Sequence, residues 1–71
     1  MERDTISAVL VGQRIRKARE ARGLPTDGLA EVLGVDEEEV AAWEKGDSIP
    51  PFACLTDLCG MFGCELDDLV K

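Results

Sequence analysis

The side chains that could do chemistry fall into three groups: a run of carboxylates, a string of cations and three thiols. Asp36, Glu37, Glu38 and Glu39 stand consecutively, Arg14, Arg16, Lys17, Arg19 and Arg22 crowd the first third, and Cys54, Cys59 and Cys64 are spaced five apart. There is no histidine, so the side chain that most readily exchanges a proton near neutral pH is missing. The run of carboxylates reads as the acidic first turn of a helix. No Ser or Cys stands with a base partner, and no Gly-rich loop cradles a phosphate. The expectation is a non-enzyme, with no catalytic residue, no cofactor and no small-molecule substrate.

The thiols point the same way. Five residues turn a helix by about 140° beyond a full revolution, so the three sulfurs are expected not to share a face. An odd count does not describe a disulfide scaffold, and a zinc site would lack its fourth ligand. No metal is expected, and the cysteines read as small hydrophobes in a reducing compartment.

Seventy-one residues make one domain near the lower size limit for a single core. The 45% hydrophobic content with three aromatics, Trp43, Phe52 and Phe62, suits a small aliphatic helical core. No apolar run approaches the roughly 18 residues of a membrane span. The N-terminus lacks the basic-then-apolar layout of a signal peptide, so a soluble, cytoplasmic protein with no membrane partner is expected. The net charge of −7 is unevenly spread: residues 1–23 hold six cations against three acids, and residues 24–71 hold two against twelve. A basic first helix is joined to an acidic remainder, and such a surface repels nucleic acid in bulk.

The elements that must position these groups follow from periodicity and caps. Residues 1–10 read as an N-terminal extension, partly frayed or the start of helix one, and residues 11–70 as the domain. Ser7, or Asp4 and Thr5, caps a first helix to about Arg22 whose apolar positions are Val11, Ile15 and Ala18. Gly12 lowers helix propensity, so regular helix is expected only from there. Gly23 stops it. Pro25 and Thr26 open a second helix, with Thr26 able to cap it and Leu29, Ala30, Leu33 and part of Val32 buried. After Gly34, Asp36 caps a third helix with Glu39 three residues on, the Asp form of a capping box. Val40 and Trp43 face inward and Gly46 ends the helix. Pro50 and Pro51 force an extended loop. A fourth helix, about Phe52 to Phe62, buries Leu55, Leu58, Cys59 and Phe62, with Phe52 read as punctuation and core. Gly63 terminates it, and a last turn presents Leu66 and Leu69. The fold class is all-α with five short helices.

The series from Gly12-Gln13-Arg14-Ile15-Arg16-Lys17-Ala18-Arg19, through Gly23-Leu24, Leu29-Ala30, Leu33-Gly34-Val35, Val40, Trp43-Glu44, Gly46 and Ile49-Pro50-Pro51, to Leu55, Leu58, Phe62-Gly63 and Leu66-Asp67-Asp68-Leu69 resembles the phage Cro/repressor-like (XRE-type) helix-turn-helix family. The resemblance covers residues 11–70. It implies a five-helix, lambda-repressor-like domain whose second and third helices read double-stranded DNA, usually as a homodimer on two half-sites. It also implies a structural ion pair between Arg19 and Glu44. By the same resemblance, contact with DNA or another partner maps to Thr26, Asp36, Glu37, Glu38, Glu39, Ala41, Ala42 and Lys45. Arg14, Arg16 or Lys17 would touch phosphates from one side, and Ile6, Val9, Leu10 or Leu66 would supply a dimer patch.

This sequence departs from the family where DNA contact falls. The usual Thr-Gln pair opening helix two is Pro25-Thr26, the third helix starts with four acids, and the loop after it is Gly46-Asp47-Ser48 with Lys45 the nearby cation. A carboxylate about 10 Å from a phosphate is repelled by roughly 0.4 kcal/mol in a water-like dielectric. Lys and Arg contacts to phosphate supply almost all of the roughly 5–8 kcal/mol of non-specific binding. Asp and Glu in a first helical turn also favour the helix dipole by about 0.3–1 kcal/mol each, a purely structural reason for part of the cluster. Two functions follow: a transcriptional-regulator-like DNA-binding domain of weak intrinsic affinity, or the same fold used as an antirepressor or adaptor that binds a basic protein surface. Trp43→Ala is expected to cost about 3–5 kcal/mol, enough to unfold so small a domain, and a native-like melting curve would show that Trp43 is not core.

Overall fold

The Ser7 side chain accepts a hydrogen bond from the Leu10 amide at 3.2 Å and so starts the first helix, α1, Ala8–Ala21. The computed structural model describes residues 7–70. The expected frayed segment, Asp4 and Thr5 as caps and Ile6 as a dimer residue all lie outside the described residues. Four more helices follow: α2, Thr26–Leu33; α3, Glu37–Lys45; α4, Phe52–Phe62; and α5, Leu66–Val70. Helices are the only regular elements among the described residues, as the periodicity implied.

One device ends α1, α2, α3 and α4. Gly23, Gly34, Gly46 and Gly63 each take a left-handed conformation, with φ between 68° and 87°, which costs glycine nothing for want of a Cβ. Beyond each glycine, an amide reaches back five residues: Leu24 to the Arg19 carbonyl, Val35 to Ala30, Asp47 to Ala42 and Cys64 to Cys59, at 2.9–3.1 Å. This closure satisfies helix-end carbonyls and brings the side chains at its two ends together.

The core holds Val11, Ile15, Leu29, Ala30, Val40, Trp43, Leu55, Leu58, Phe62 and Leu69. Helix α3 packs chiefly on α1 and α2, and α5 packs on α1 and α4. No helix among the described residues is long and apolar enough to cross a membrane.

Several expectations are corrected. Regular helix begins at Ala8, four residues before Gly12. Gly12 is buried where α1 meets α3, and a Cβ there would fall 2.0 Å from the Trp43 carbonyl oxygen. Its role is close approach, which a propensity scale does not register. Thr26 does not cap α2; Pro25 holds that position without a side-chain bond. Asp36 precedes α3 but makes no side-chain capping bond, so the capping box does not form. Instead, the Asp36 backbone carbonyl accepts from Glu39 and Val40. Val32 is 63% exposed and Phe52 67% exposed, because each sits on the outer side of its helix. Cys59 is half-buried rather than core. Cys64 follows Gly63, where the chain has already turned back, and its amide donates to the Cys59 carbonyl at 3.1 Å, so the two residues lie close together. The helical-wheel spacing does not apply across that turn.

Gly12→Ala is therefore expected to destabilise the domain by about 1–3 kcal/mol through overpacking. Gly60→Ala, in α4 with nothing within 4 Å of the added Cβ, should stabilise it by about 0.5–1 kcal/mol. Urea titration of the two variants beside the parent checks both signs.

Candidate functional site

Helix α3 is held from inside by three contiguous features. Val40 and Trp43 are buried, and Glu44 is clamped by Arg19 of α1. The Arg19 Nε donates to Glu44 Oε2 at 2.6 Å and Nη2 donates to Oε1 at 3.0 Å, while Nη1 donates to the Leu24 carbonyl at 2.8 Å. The two side chains are only 12% and 10% exposed. A planar guanidinium forked onto a carboxylate fixes orientation as well as distance. The hydrogen bond that Arg19 donates to Glu44 holds its guanidinium above its ordinary range, against the opposing effect of burial. Both residues were named from the resemblance as a structural pair, and the geometry is that of one.

With its inner face anchored, α3 turns its N-terminal side chains outward. Asp36, Glu37, Glu38 and Glu39 are all exposed, Ala41 and Ala42 are half-buried, and Lys45 is exposed at the C-terminal end. Thr26, at the start of α2, is half-buried, and its hydroxyl donates to Glu37 Oε2 at 2.7 Å. The first turns of α2 and α3 thus lie side by side, across the turn at residues 34–36. The hydroxyl expected to face a partner is turned onto a carboxylate of its own chain. Eleven residues separate the two, and no local signal announced this bond.

The cations are distributed otherwise. Arg14 Nη1 donates to the Asp68 carbonyl at 2.9 Å and ties α1 to α5. Arg16 pairs with Glu20 at 3.1 Å, the one-turn helical pair anticipated from their spacing. Arg22 lies over the Phe62 ring, 5.7 Å from its centroid. Among the described residues, Lys17 and Lys45 make no ion pair. The site therefore has the geometry of a two-helix reading unit, an acidic edge and a single flanking lysine. No group of three or more Cys, Asp or Glu side chains among the described residues could hold a metal ion.

Comparison with known proteins bears on the same unit. A family model described as helix-turn-helix matches residues 15–69. Over all 71 residues, the chain is 32% identical to a protein of Pyrobaculum aerophilum named as an HTH-type transcriptional regulatory protein, and it spans 28% of that protein's length. Its fold is similar to that of C.AhdI, the restriction-modification controller protein from Aeromonas hydrophila. The two are 31% identical with a TM-score of 0.77, over 87% of this chain and 94% of that one. It is also similar to the P22 c2 repressor, whose structure contains a synthetic operator: 29% identity and a TM-score of 0.82, with the same coverage.

The clamp yields a direct expectation. Arg19→Ala leaves Glu44 enclosed without its cation and should cost about 3–5 kcal/mol, whereas replacing both partners by apolar residues should recover much of that loss. Arg19→Lys should recover little, because an ammonium does not make the fork. Denaturant midpoints of the three variants beside the parent test the ranking.

Proposed function

We propose that this chain, which belongs to the helix-turn-helix family, is the DNA-binding domain of a transcription regulator that docks α2 and α3 on a duplex with low intrinsic affinity. The family carries the first half of that reading, and the placement of the cations carries the second. Residues 11–70 form the domain proper. Thr26, Glu37, Glu38, Glu39, Ala41, Ala42 and Lys45 form the contact surface, with Asp36 at its edge. Double-stranded DNA is the partner. The regulators that the chain resembles are not enzymes, and the same is proposed for this chain.

Low affinity follows from electrostatics. Counterion release scales with the number of phosphates met by Lys or Arg, and three of the four arginines and lysines in α1 are bonded within the domain. Among the described residues, Lys17 and Lys45 remain, with Arg22 lying over the Phe62 ring. Glutamate accepts from cytosine N4, so Glu38 or Glu39 contributes discrimination without contributing attraction. Positioning contacts normally come from basic residues. A homodimer that doubles the contact set makes up the shortfall, with Val9, Leu10 and Leu66 as its apolar patch. Val9 is exposed and the other two are half-buried.

The Thr26–Glu37 bond and four exposed carboxylates favour a second reading, in which the same face meets a basic protein surface and DNA is not bound. The two readings separate in one experiment. Random duplex DNA at ~100 mM salt is expected not to be retarded at micromolar protein, in keeping with the scarcity of phosphate contacts. Glu37→Lys with Glu38→Lys should raise affinity about tenfold or more by reversing local charge and releasing the Thr26 hydroxyl. Unchanged affinity in the double variant would show that α3 does not face DNA and would leave the protein-binding reading standing.

A further inference from the structure

The turn that closes α4 makes a chemical site from two residues that helical spacing would separate. Gly63 is left-handed and the Cys64 amide donates to the Cys59 carbonyl at 3.1 Å. From the nitrogen to its Cα is about 1.5 Å, and from the carbonyl oxygen to its Cα about 2.4 Å, so the two Cα atoms are at most about 7 Å apart. Any bend at either end brings them into the range of about 4.4–6.8 Å that a disulfide spans. In this type of helix ending, the side chains at these two positions are brought together, and both cysteines are partly buried against the same core.

We propose that Cys59 and Cys64 form a reversible redox site, in which a low-molecular-weight disulfide oxidises the pair to an intramolecular disulfide that pins the α4–α5 junction. Cys64 lines an apolar groove between α1 and α5, together with Ala18, Ala21, Phe62 and Leu69, and this groove is the route by which the oxidant arrives. The Cys64 thiolate attacks one sulfur of the small disulfide, whose other half leaves as a thiol. The Cys59 thiolate then attacks the Cys64 sulfur of the mixed disulfide, and the second half leaves. One sulfur–sulfur bond breaks and one forms. The protein loses two protons and two electrons, and the small disulfide gains them as two thiols. Burial and the neighbouring sulfur hold the Cys59 thiol above its usual range, so exchange is slow at neutral pH and quickens as pH rises, the thiolate being the nucleophile.

Cys54 supplies the control. It is a third free thiol, one and a half turns back along α4, and burial also raises it. The bond would close a ring around Gly60, Met61, Phe62 and Gly63. That ring holds the core residue Phe62 and fixes where α5 begins, on which the Arg14 contact to Asp68 depends.

The test treats the folded chain with oxidised glutathione, removes the excess and counts free thiols. The expected result is a fall from three to one, a mass lower by two hydrogens, and a proteolytic map joining Cys59 to Cys64. Cys54→Ser should behave like the parent, ending with no free thiol, while Cys59→Ser and Cys64→Ser should form no intramolecular bond. In urea the same chain should give mixed pairings and glutathione adducts instead of the single Cys59–Cys64 bond, because the turn that holds the two residues together is lost. A bond through Cys54, stable glutathione adducts on the folded parent without ring closure, or the same products in buffer and urea would overturn the proposal. Far-UV circular dichroism confirms that each serine variant is folded, so a negative result is chemical.

Discussion

The close contact between α1 and α3 is the constraint on which the rest of the domain depends. Gly12 lets the backbones meet at the Trp43 carbonyl, and about two turns further along α1, Arg19 grips Glu44. The same guanidinium reaches the Leu24 carbonyl, so the end of α1, the start of the chain toward α2 and the last turn of α3 are fixed by one side chain. An enclosed ion pair of this kind adds little net stability over an apolar pair of the same shape, yet losing one partner is expensive. Its value here is positional. Trp43 and Glu44 are adjacent, so anchoring them sets the rotation of α3 about its axis, and that rotation decides which side chains face outward.

What faces outward is mostly acidic, and the reason lies in how the cations are used. Arg14 spans to α5, Arg16 pairs along its helix, Arg19 is clamped and Arg22 covers an aromatic ring. The described cations of the basic first third therefore serve the architecture more than the surface. The carboxylates at the head of α3 have a structural use as well, since their charge complements the helix dipole, and Glu37 receives the Thr26 hydroxyl. In the proposed reading, a domain built in this way keeps the shape of a reading unit while giving up most of the long-range attraction that brings such units to DNA.

Much of this was legible in the sequence, and particular residues show why. Val11, Ile15, Leu29, Val40, Trp43, Leu55, Leu58 and Leu69 repeat at helical intervals, and the glycines after four of the helices mark their ends, so five helices and the core follow from local pattern alone. The α4 limits, Phe52–Phe62, agree with those read from the sequence. Arg19 and Glu44 were legible only through the resemblance, because nothing local links residues 25 positions apart. Gly12 was read as a weakness in α1, since propensity is local and the clash it avoids is tertiary. The capping box at Asp36 and the cap at Thr26 were misread for a related reason. Residue type permits those bonds, but the Thr26 hydroxyl goes to Glu37, and Asp36 serves α3 through its backbone. Cys59 and Cys64 looked unrelated on a helical wheel because Gly63 ends the wheel between them.

In the proposed function, α2 and α3 present a DNA-facing surface whose affinity is limited by its own charge. Amide chemical shifts recorded by NMR during titration with duplex DNA at low salt can show such a surface, since weak binding in fast exchange is still mapped residue by residue. The expected result is a set of small, saturable shifts centred on Thr26 and on Glu37 to Lys45, lost as salt is raised. Shifts centred on α4 and α5 with α3 unmoved, or no shifts at all at millimolar duplex, would contradict it.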